Sequence, residues 1–284
     1  MKKIYTSFLI VLLLALVACS NESQEDNEVT PRETITYESE DGPVEVPADP
    51  ERVIVLSTFA GNVLALDVPL VGVDSWSKGN TNYDLDGVEA ASDENLEKII
   101  ELKPDLIIGL SSIKNVDKLK EIAPSVTFTY GKRDYWEQQL EIGELLNKEE
   151  EAQQWIDDFQ ARAAEVGDQI KEKIGEDATV TVIENFDKEL YVFGDNWARG
   201  TEILYQEMKL PMPDKVEETA LQDGYASLSL EVLPDYVGDY LIVSKNEDSS
   251  SSFMETETFQ NIPAVKNGNV FVADATKFYF NDPI

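Results

Sequence analysis

A chain of 284 residues with 42% hydrophobic and 9% aromatic content can bury a real core, as one large domain or two ordinary ones. It carries 23 Lys and Arg against 56 Asp and Glu, a formal charge of −33, and such a surface repels phosphate backbones, which excludes nucleic acid as a partner. With no histidine and one cysteine, Cys19, the sequence excludes Ser-His-Asp and Cys-His catalysis, His-ligated zinc or haem, Cys-rich metal sites and an intrachain disulfide.

Lys2 and Lys3 precede an apolar run, Phe8 to Ala18, that is too short to span a bilayer as a stable helix and fits the core of a secretory signal. Residues 1–18 therefore read as a signal peptide. The run ends in Leu16-Val17-Ala18-Cys19, which is similar to a bacterial lipobox, where small residues admit the peptidase and the cysteine thiol is acylated. Cleavage before Cys19 removes both lysines and leaves 21 basic against 56 acidic side chains, a charge of −35. Residues 19–34 form a polar, acidic tether that holds the folded part roughly 20 Å from the membrane. No later segment is apolar enough to span, so the expectation is a protein anchored on the extracellular face of the cell membrane rather than inserted in it.

Ile35-Thr36-Tyr37 and Val44-Glu45-Val46-Pro47, joined through Glu40-Asp41-Gly42-Pro43, predict a hairpin. Strands are expected at Arg52–Leu56, Leu70–Val73, Leu106–Leu110 and Val126–Tyr130, and helices at Gly61–Leu66, Asn95–Leu102, Lys114–Ile122 and Tyr135–Leu146. This alternation over residues 35–147 implies a parallel sheet covered on both faces. Asp84-Leu85-Asp86-Gly87 has its glycine misplaced for a calcium loop and reads as a turn.

From Lys148 to Ile174 the period changes. Ala152, Ile156, Phe159, Ala163, Val166, Ile170 and Ile174 make one apolar stripe on a helix about 40 Å long, a strut between two lobes. Gly175 ends it. Residues 175–284 form a second α/β series with strands at Thr179–Ile183, Glu189–Phe193, Tyr240–Ser244 and Asn269–Ala273 and a helix from Gly200 to Met208. Lys245 to Ser252 reads as a solvent loop. The fold class is therefore α/β, two Rossmann-like lobes joined by one long helix. A weak internal repeat relates the lobes: Asn95-Leu96-Glu97 precedes Asp105-Leu106-Ile107-Ile108 at the same spacing as Ser229-Leu230-Glu231 precedes Asp239-Tyr240-Leu241-Ile242. Asn95 and Ser229 fit as N-caps, with Glu97 and Glu231 in first turns where the helix dipole favours a carboxylate.

The lipobox and tether, Asp49-Pro50-Glu51-Arg52-Val53-Ile54, Leu96-Glu97-Lys98-Ile99 through Lys103-Pro104-Asp105-Leu106-Ile107, and Gly194-Asp195-Asn196-Trp197-Ala198-Arg199-Gly200 are similar to the iron-siderophore-binding lipoproteins of ABC importers, most of all the iron(III)-hydroxamate branch of Gram-positive bacteria. The resemblance implies a class III periplasmic-binding-protein-like fold bridged by one helix, with ligand in the cleft between lobes and little hinge motion. It implies that Glu97 and Glu231 dock on basic pockets of the two permease subunits. It implies that Trp197 and Arg199 contact the ligand, Trp197 lying against apolar linkers and Arg199 donating to hydroxamate oxygens. The resemblance implies a further helix past Ile284, so either the sequence is truncated there or this protein dispenses with that helix.

Ligands of open parallel sheets sit beyond the carboxyl ends of the strands. Phe59, Trp76, Ser111 and Tyr130 follow the strands of the first lobe, and Tyr130 also matches a family aromatic. Tyr191 precedes the Trp segment, and Tyr279 and Phe280 follow the last strand. A triscatecholate iron complex is trianionic and needs several cations, whereas the named segments supply one clear candidate, Arg199; a ferric trihydroxamate is neutral or, with a free amine, cationic. The expected function is a monomeric extracellular receptor that binds ferric hydroxamate siderophores of ferrioxamine or ferrichrome type and delivers them to an ABC permease. It needs no cofactor and no protein metal ligand, because the iron arrives chelated. The alternatives are another chelate (catecholate siderophore, cobalamin, haem) or a secreted carboxylate-pair hydrolase.

Overall fold

The structure, a computed structural model, describes residues 33–186, 189–246 and 252–284. Cys19, the signal segment and most of the tether lie outside the described residues. Strand β1 (Thr34–Ser39) and strand β2 (Gly42–Pro47) pair antiparallel around Glu40 and Asp41, with Gly42 at φ +108°, a conformation glycine adopts without a Cβ penalty. The hairpin is fixed to the first lobe by its inward side chains: Tyr37 and Val46 belong to the first-lobe core, and the Tyr37 hydroxyl donates to Glu141 at 2.7 Å.

Five parallel strands make the first sheet: β3 (Val53–Val55), β4 (Leu70–Val73), β5 (Glu89–Ala90), β6 (Leu106–Leu110) and β7 (Ser125–Phe128), in the order β5-β4-β3-β6-β7. Central β3 is apolar at every position because both of its faces are covered. Val53 and Val55 enter one core with Leu106, Ile108, Phe128 and Ile142, while Ile54 enters another with Ile99, Leu102 and Ile107. Helices at Ala60–Leu64, Ser75–Gly79, Leu96–Leu102, Val116–Lys120 and Tyr135–Leu145 intervene; all but Ser75–Gly79 answer to a helix expected from the sequence.

The linking helix runs Glu149–Ile174, 26 residues, with three glutamates in its first turn and Lys171 and Lys173 in its last, both favourable to its dipole. Its contact face differs from the expected stripe: Val166 is 41% exposed, and Gly167 takes its place. Two close approaches hold it. A Cβ on Gly143 would lie 2.6 Å from the Ala152 Cβ, and a Cβ on Gly167 would lie 2.7 Å from the Met208 Cα and closer still to the Met208 carbonyl. The first contact joins the helix to the first lobe and the second joins it to the second.

The second sheet holds β8 (Val180–Phe186), β9 (Glu189–Phe193), β10 (Tyr225–Leu228), β11 (Tyr240–Lys245) and β12 (Val270–Asp274), in the order β10-β9-β8-β11-β12. It is mixed: β8, β11 and β12 run parallel, and β9 is antiparallel to both β8 and β10. The segment expected as an α-helix from Gly200 to Met208 is a π-helix, Glu202–Glu207. The internal repeat has a common structural basis. Asp105 accepts from the Glu51 and Arg52 amides at 2.9 Å each, and Asp239 accepts from the Thr179 amide at 2.9 Å. In each lobe an aspartate opening one strand thus fastens the entry to the central strand beside it, β3 or β8.

Candidate functional site

A cavity of about 580 Å³ opens where the carboxyl ends of the two sheets face each other, a size suited to a bulky small molecule. Phe59 and Tyr130, which follow β3 and β7, line it from the first lobe, Trp197 lines it from the second, and Tyr279 and Phe280 border it from the segment after β12. Tyr130, 63% exposed, meets Trp197 edge-on across the cavity, ring centroids 6.5 Å apart. Phe59 is 6% exposed and packs on Phe128 at 5.4 Å, so it is core and wall at once. Between the aromatics the lining is carboxamide: Asn62, Gln138, Gln206 and Gln222 reach it, and the Gln138 side-chain nitrogen is buried without a hydrogen-bond partner.

Arg199 and Trp76 border an adjoining space of about 430 Å³, which shares Thr58, Tyr279 and Phe280 with the larger one. The Trp-Arg segment is therefore split, with Trp197 facing one cavity and Arg199 the other. Backbone geometry separates them: Ala198 and Arg199 are both left-handed, at φ +57° and +58°, ahead of Gly200 at φ +75°. Two consecutive non-glycine residues in that region cost about 1–2 kcal/mol each. The loop is held by local bonds that offset this: the Ala198 amide donates to Glu202 at 2.9 Å, the Thr201 hydroxyl to the Ala198 carbonyl at 2.7 Å, and the Arg199 amide to the Phe278 carbonyl at 2.9 Å.

The Arg199 guanidinium is already engaged. Its Nε and Nη2 donate to the two oxygens of Glu184 at 2.9 and 3.2 Å, and it lies over the rings of Phe193 and Tyr279 at 5.0 and 5.4 Å. Two further cations, which the sequence reading passed over, line the larger cavity. Lys132 pairs with Glu40 at 3.3 Å, and Arg133 with Glu40 and Glu141 at 2.6 and 3.0 Å. Burial raises the Glu202 carboxyl above its usual range, and burial with the nearby Glu202 charge raises the Tyr130 hydroxyl. The walls therefore offer aromatic faces, amides, cations paired with carboxylates, and the further carboxylates of Asp134, Glu202 and Asp223.

Two expected contacts stand outside both cavities. Ser111, after β6, lies with its hydroxyl 3.3 Å from that of Thr129, and Tyr191 packs at 5.9 Å on Tyr225, which in turn packs at 4.9 Å on Trp197. Tyr191 thus backs the tryptophan from behind. Phe280 joins the first-lobe core while the Tyr279 hydroxyl accepts from Asn246 at 2.5 Å in the second lobe, so this segment bridges the lobes. Beyond it Asp282 receives the Tyr83 hydroxyl, and burial pushes its carboxyl up. A second bridge joins the π-helix to the first lobe: Glu207 accepts from the Tyr135 hydroxyl at 2.5 Å and the Trp136 Nε1 at 3.1 Å.

Glu97 and Glu231 are both exposed and follow β5 and β10 at the carboxyl edges of their sheets. Asn95 caps its helix by accepting from the Lys98 amide. Glu231 departs from the expectation of a first-turn position: its phrase leads into a three-residue 3₁₀ turn, Leu233–Asp235, and hydrogen bonds from its own amide and the Ser229 side chain lower its carboxyl. Each glutamate has an exposed apolar neighbour, Ile100 or Val232.

Two α/β lobes, one bridging helix and a cavity between the carboxyl edges of two sheets define a ligand-binding protein of the helix-bridged, class III type. The chain belongs to the periplasmic binding protein family, whose model matches residues 54–276. It is 35% identical over 300 residues to the iron(3+)-hydroxamate-binding protein FhuD of Bacillus subtilis, covering 100% of this chain and 94% of the relative. Among solved structures it is similar to FhuD2 of Staphylococcus aureus with bound ferrioxamine B, at 34% identity and TM-score 0.77, covering 82% of this chain and 93% of the other. A Bacillus subtilis binding-protein component of a ferrichrome ABC transporter matches at 34% identity and TM-score 0.80, covering 87% and 94%.

Proposed function

We propose that the protein is a lipid-anchored extracellular receptor, acylated at Cys19, that binds ferric hydroxamate siderophores of ferrioxamine or ferrichrome type and hands them to an ABC permease. The carrying observation is a cavity of about 580 Å³ walled by Phe59, Tyr130, Trp197, Tyr279 and Phe280 whose cations each have a carboxylate partner. Such walls suit a bulky chelate without net negative charge, so the reading is capture and release. The iron enters as part of the ligand, and the ligands of the relatives support the same class.

In this reading Trp197 and Tyr130 close on the chelate from opposite lobes, and Arg199 offers its Nη1 edge from the adjoining space. Glu97 and Glu231, one per lobe, dock on basic pockets of the paired permease subunits, and the receptor acts as a monomer. The test is iron-55 uptake from ferrioxamine by cells lacking their own receptor. The wild-type chain is expected to restore uptake. Glu97→Ala with Glu231→Ala is expected to bind ferrioxamine normally and restore none; normal uptake by the double variant would refute the docking assignment.

A further inference from the structure

Glu184 is a carboxylate inside the second lobe, 1% exposed, at the cavity end of β8. It takes two donors of Arg199, and the Ser244 hydroxyl donates to its Oε2 at 2.7 Å. The geometry leaves the Nη1 edge of Arg199 held only by a 3.5 Å contact to the Trp197 carbonyl, while the Nε edge is fully committed. A bare guanidinium beside a cavity attracts anions: at an effective dielectric of about 20, a unit charge within about 8 Å shifts a binding equilibrium by an order of magnitude or more. Paired with Glu184, Arg199 has no net charge to offer, only a donor edge. The other two cations of the cavity walls are cancelled in the same way, by Glu40 and Glu141.

We infer that Glu184 is a specificity-determining residue: by neutralising and orienting Arg199 it lets the site donate hydrogen bonds while selecting ferric chelates by charge, against anionic ones. This rests on the ferric hydroxamate reading above. Glu184 acts through Arg199 and is a positioning residue. Ser244, on neighbouring β11, fixes the carboxylate so that it meets the Nε side and leaves the Nη1 side toward the ligand.

The test compares ferrichrome, a neutral trihydroxamate, with ferric aerobactin, whose citrate arm makes the complex anionic, by fluorescence titration of the mature chain. Glu184→Gln keeps the shape and adds one net positive charge. The ratio of aerobactin to ferrichrome affinity is expected to rise by about tenfold or more. A ratio within about twofold of wild type would show a structural residue only and overturn the inference. The wild type supplies a second readout that needs no variant. Raising salt from about 20 to about 500 mM should leave its affinity for the anionic chelate unchanged or improved, because no net cation is there to be screened. A several-fold loss would overturn the inference equally. Ferrichrome binding with an unmoved ratio refutes only the role of Glu184; a wild-type protein that binds neither chelate refutes the hydroxamate reading and this inference with it.

Discussion

Gly167→Ala tests how the linking helix holds the second lobe. An alanine Cβ would lie 2.7 Å from the Met208 Cα and 2.9 Å from its carbonyl carbon, where ordinary carbon contacts lie at about 3.5–4.0 Å. The two surfaces must part by about 1 Å, and neither side can swing clear, because both are backbone in regular structure: the middle of a 26-residue helix and the end of the π-helix, where the Met208 amide donates to Ile203 at 2.8 Å. Overpacking costs about 1–3 kcal/mol, and contact this close with backbone that cannot swing clear lies at the upper end, about 2–3 kcal/mol. The better helix propensity of alanine returns about 1 kcal/mol. The net loss is about 1–2 kcal/mol, or a fall of about 3–6 °C in melting temperature for a domain of this size. Calorimetry of the mature chain measures it, with exposed Glu172→Ala as a control expected to stay within about 0.5 kcal/mol of wild type. Because the π-helix carries Glu202 and Gln206 to the cavity, ligand affinity should fall as well. A Gly167→Ala protein that melts at or above wild type would refute the close-approach argument.

Glu40 predicts acid sensitivity. Burial alone would raise its carboxyl, but hydrogen bonds from Thr129, Arg133 and Lys132 outweigh it and hold the value at about 2, against an ordinary 4.5. The folded state therefore binds this proton less readily than the unfolded state. The shift corresponds to about 3 kcal/mol, which solvent screening of this surface cluster reduces to about 2 kcal/mol of stabilisation, complete above pH ~5 and lost as pH falls through 4.5 toward 2. Urea midpoints at pH 6 and pH 3 should show a smaller acid loss in Glu40→Gln than in wild type; identical losses would contradict the assignment. At the other bridge, Glu207→Ala leaves the Tyr135 hydroxyl and Trp136 indole unpaired and should cost about 2 kcal/mol, while Glu207→Gln, which keeps one acceptor, costs less than about 1 kcal/mol. Equal costs for the two in denaturant titrations would show that the acceptor does not matter.

What was legible in the sequence had a local cause. Val53-Ile54-Val55 and Leu106 to Leu110 read as strands because both sheet faces are covered, which demands an unbroken apolar run. The mixed character of the second sheet was harder to read. Strand β10, Tyr225–Leu228, has one buried residue and alternates too briefly to stand out. The π-helix has no pattern distinct from an α-helix over six residues. At the cavity, Tyr130, Tyr279 and Phe280 were legible because they follow strand ends, and Trp197 because its segment resembles that of the siderophore-binding lipoproteins. The separation of Arg199 from Trp197 was not, since it depends on two left-handed residues, Ala198 and Arg199, that rarely adopt that shape. The pairing of Arg133 with Glu40 joins residues 93 apart, a distance no local pattern spans. Glu184 did leave a trace: a glutamate closing the buried run Val180 to Ile183 marks a charge that needs a partner.

The central claim is that a ferric hydroxamate occupies the cavity between Tyr130 and Trp197, and the most direct measurement is a tryptophan-fluorescence titration of the mature chain with ferrioxamine or ferrichrome. The iron chromophore should quench the emission saturably, and Trp197→Phe should remove most of that quenching in a protein of unchanged melting temperature. Absence of saturable quenching by every hydroxamate complex, or full quenching without Trp197, would contradict the account.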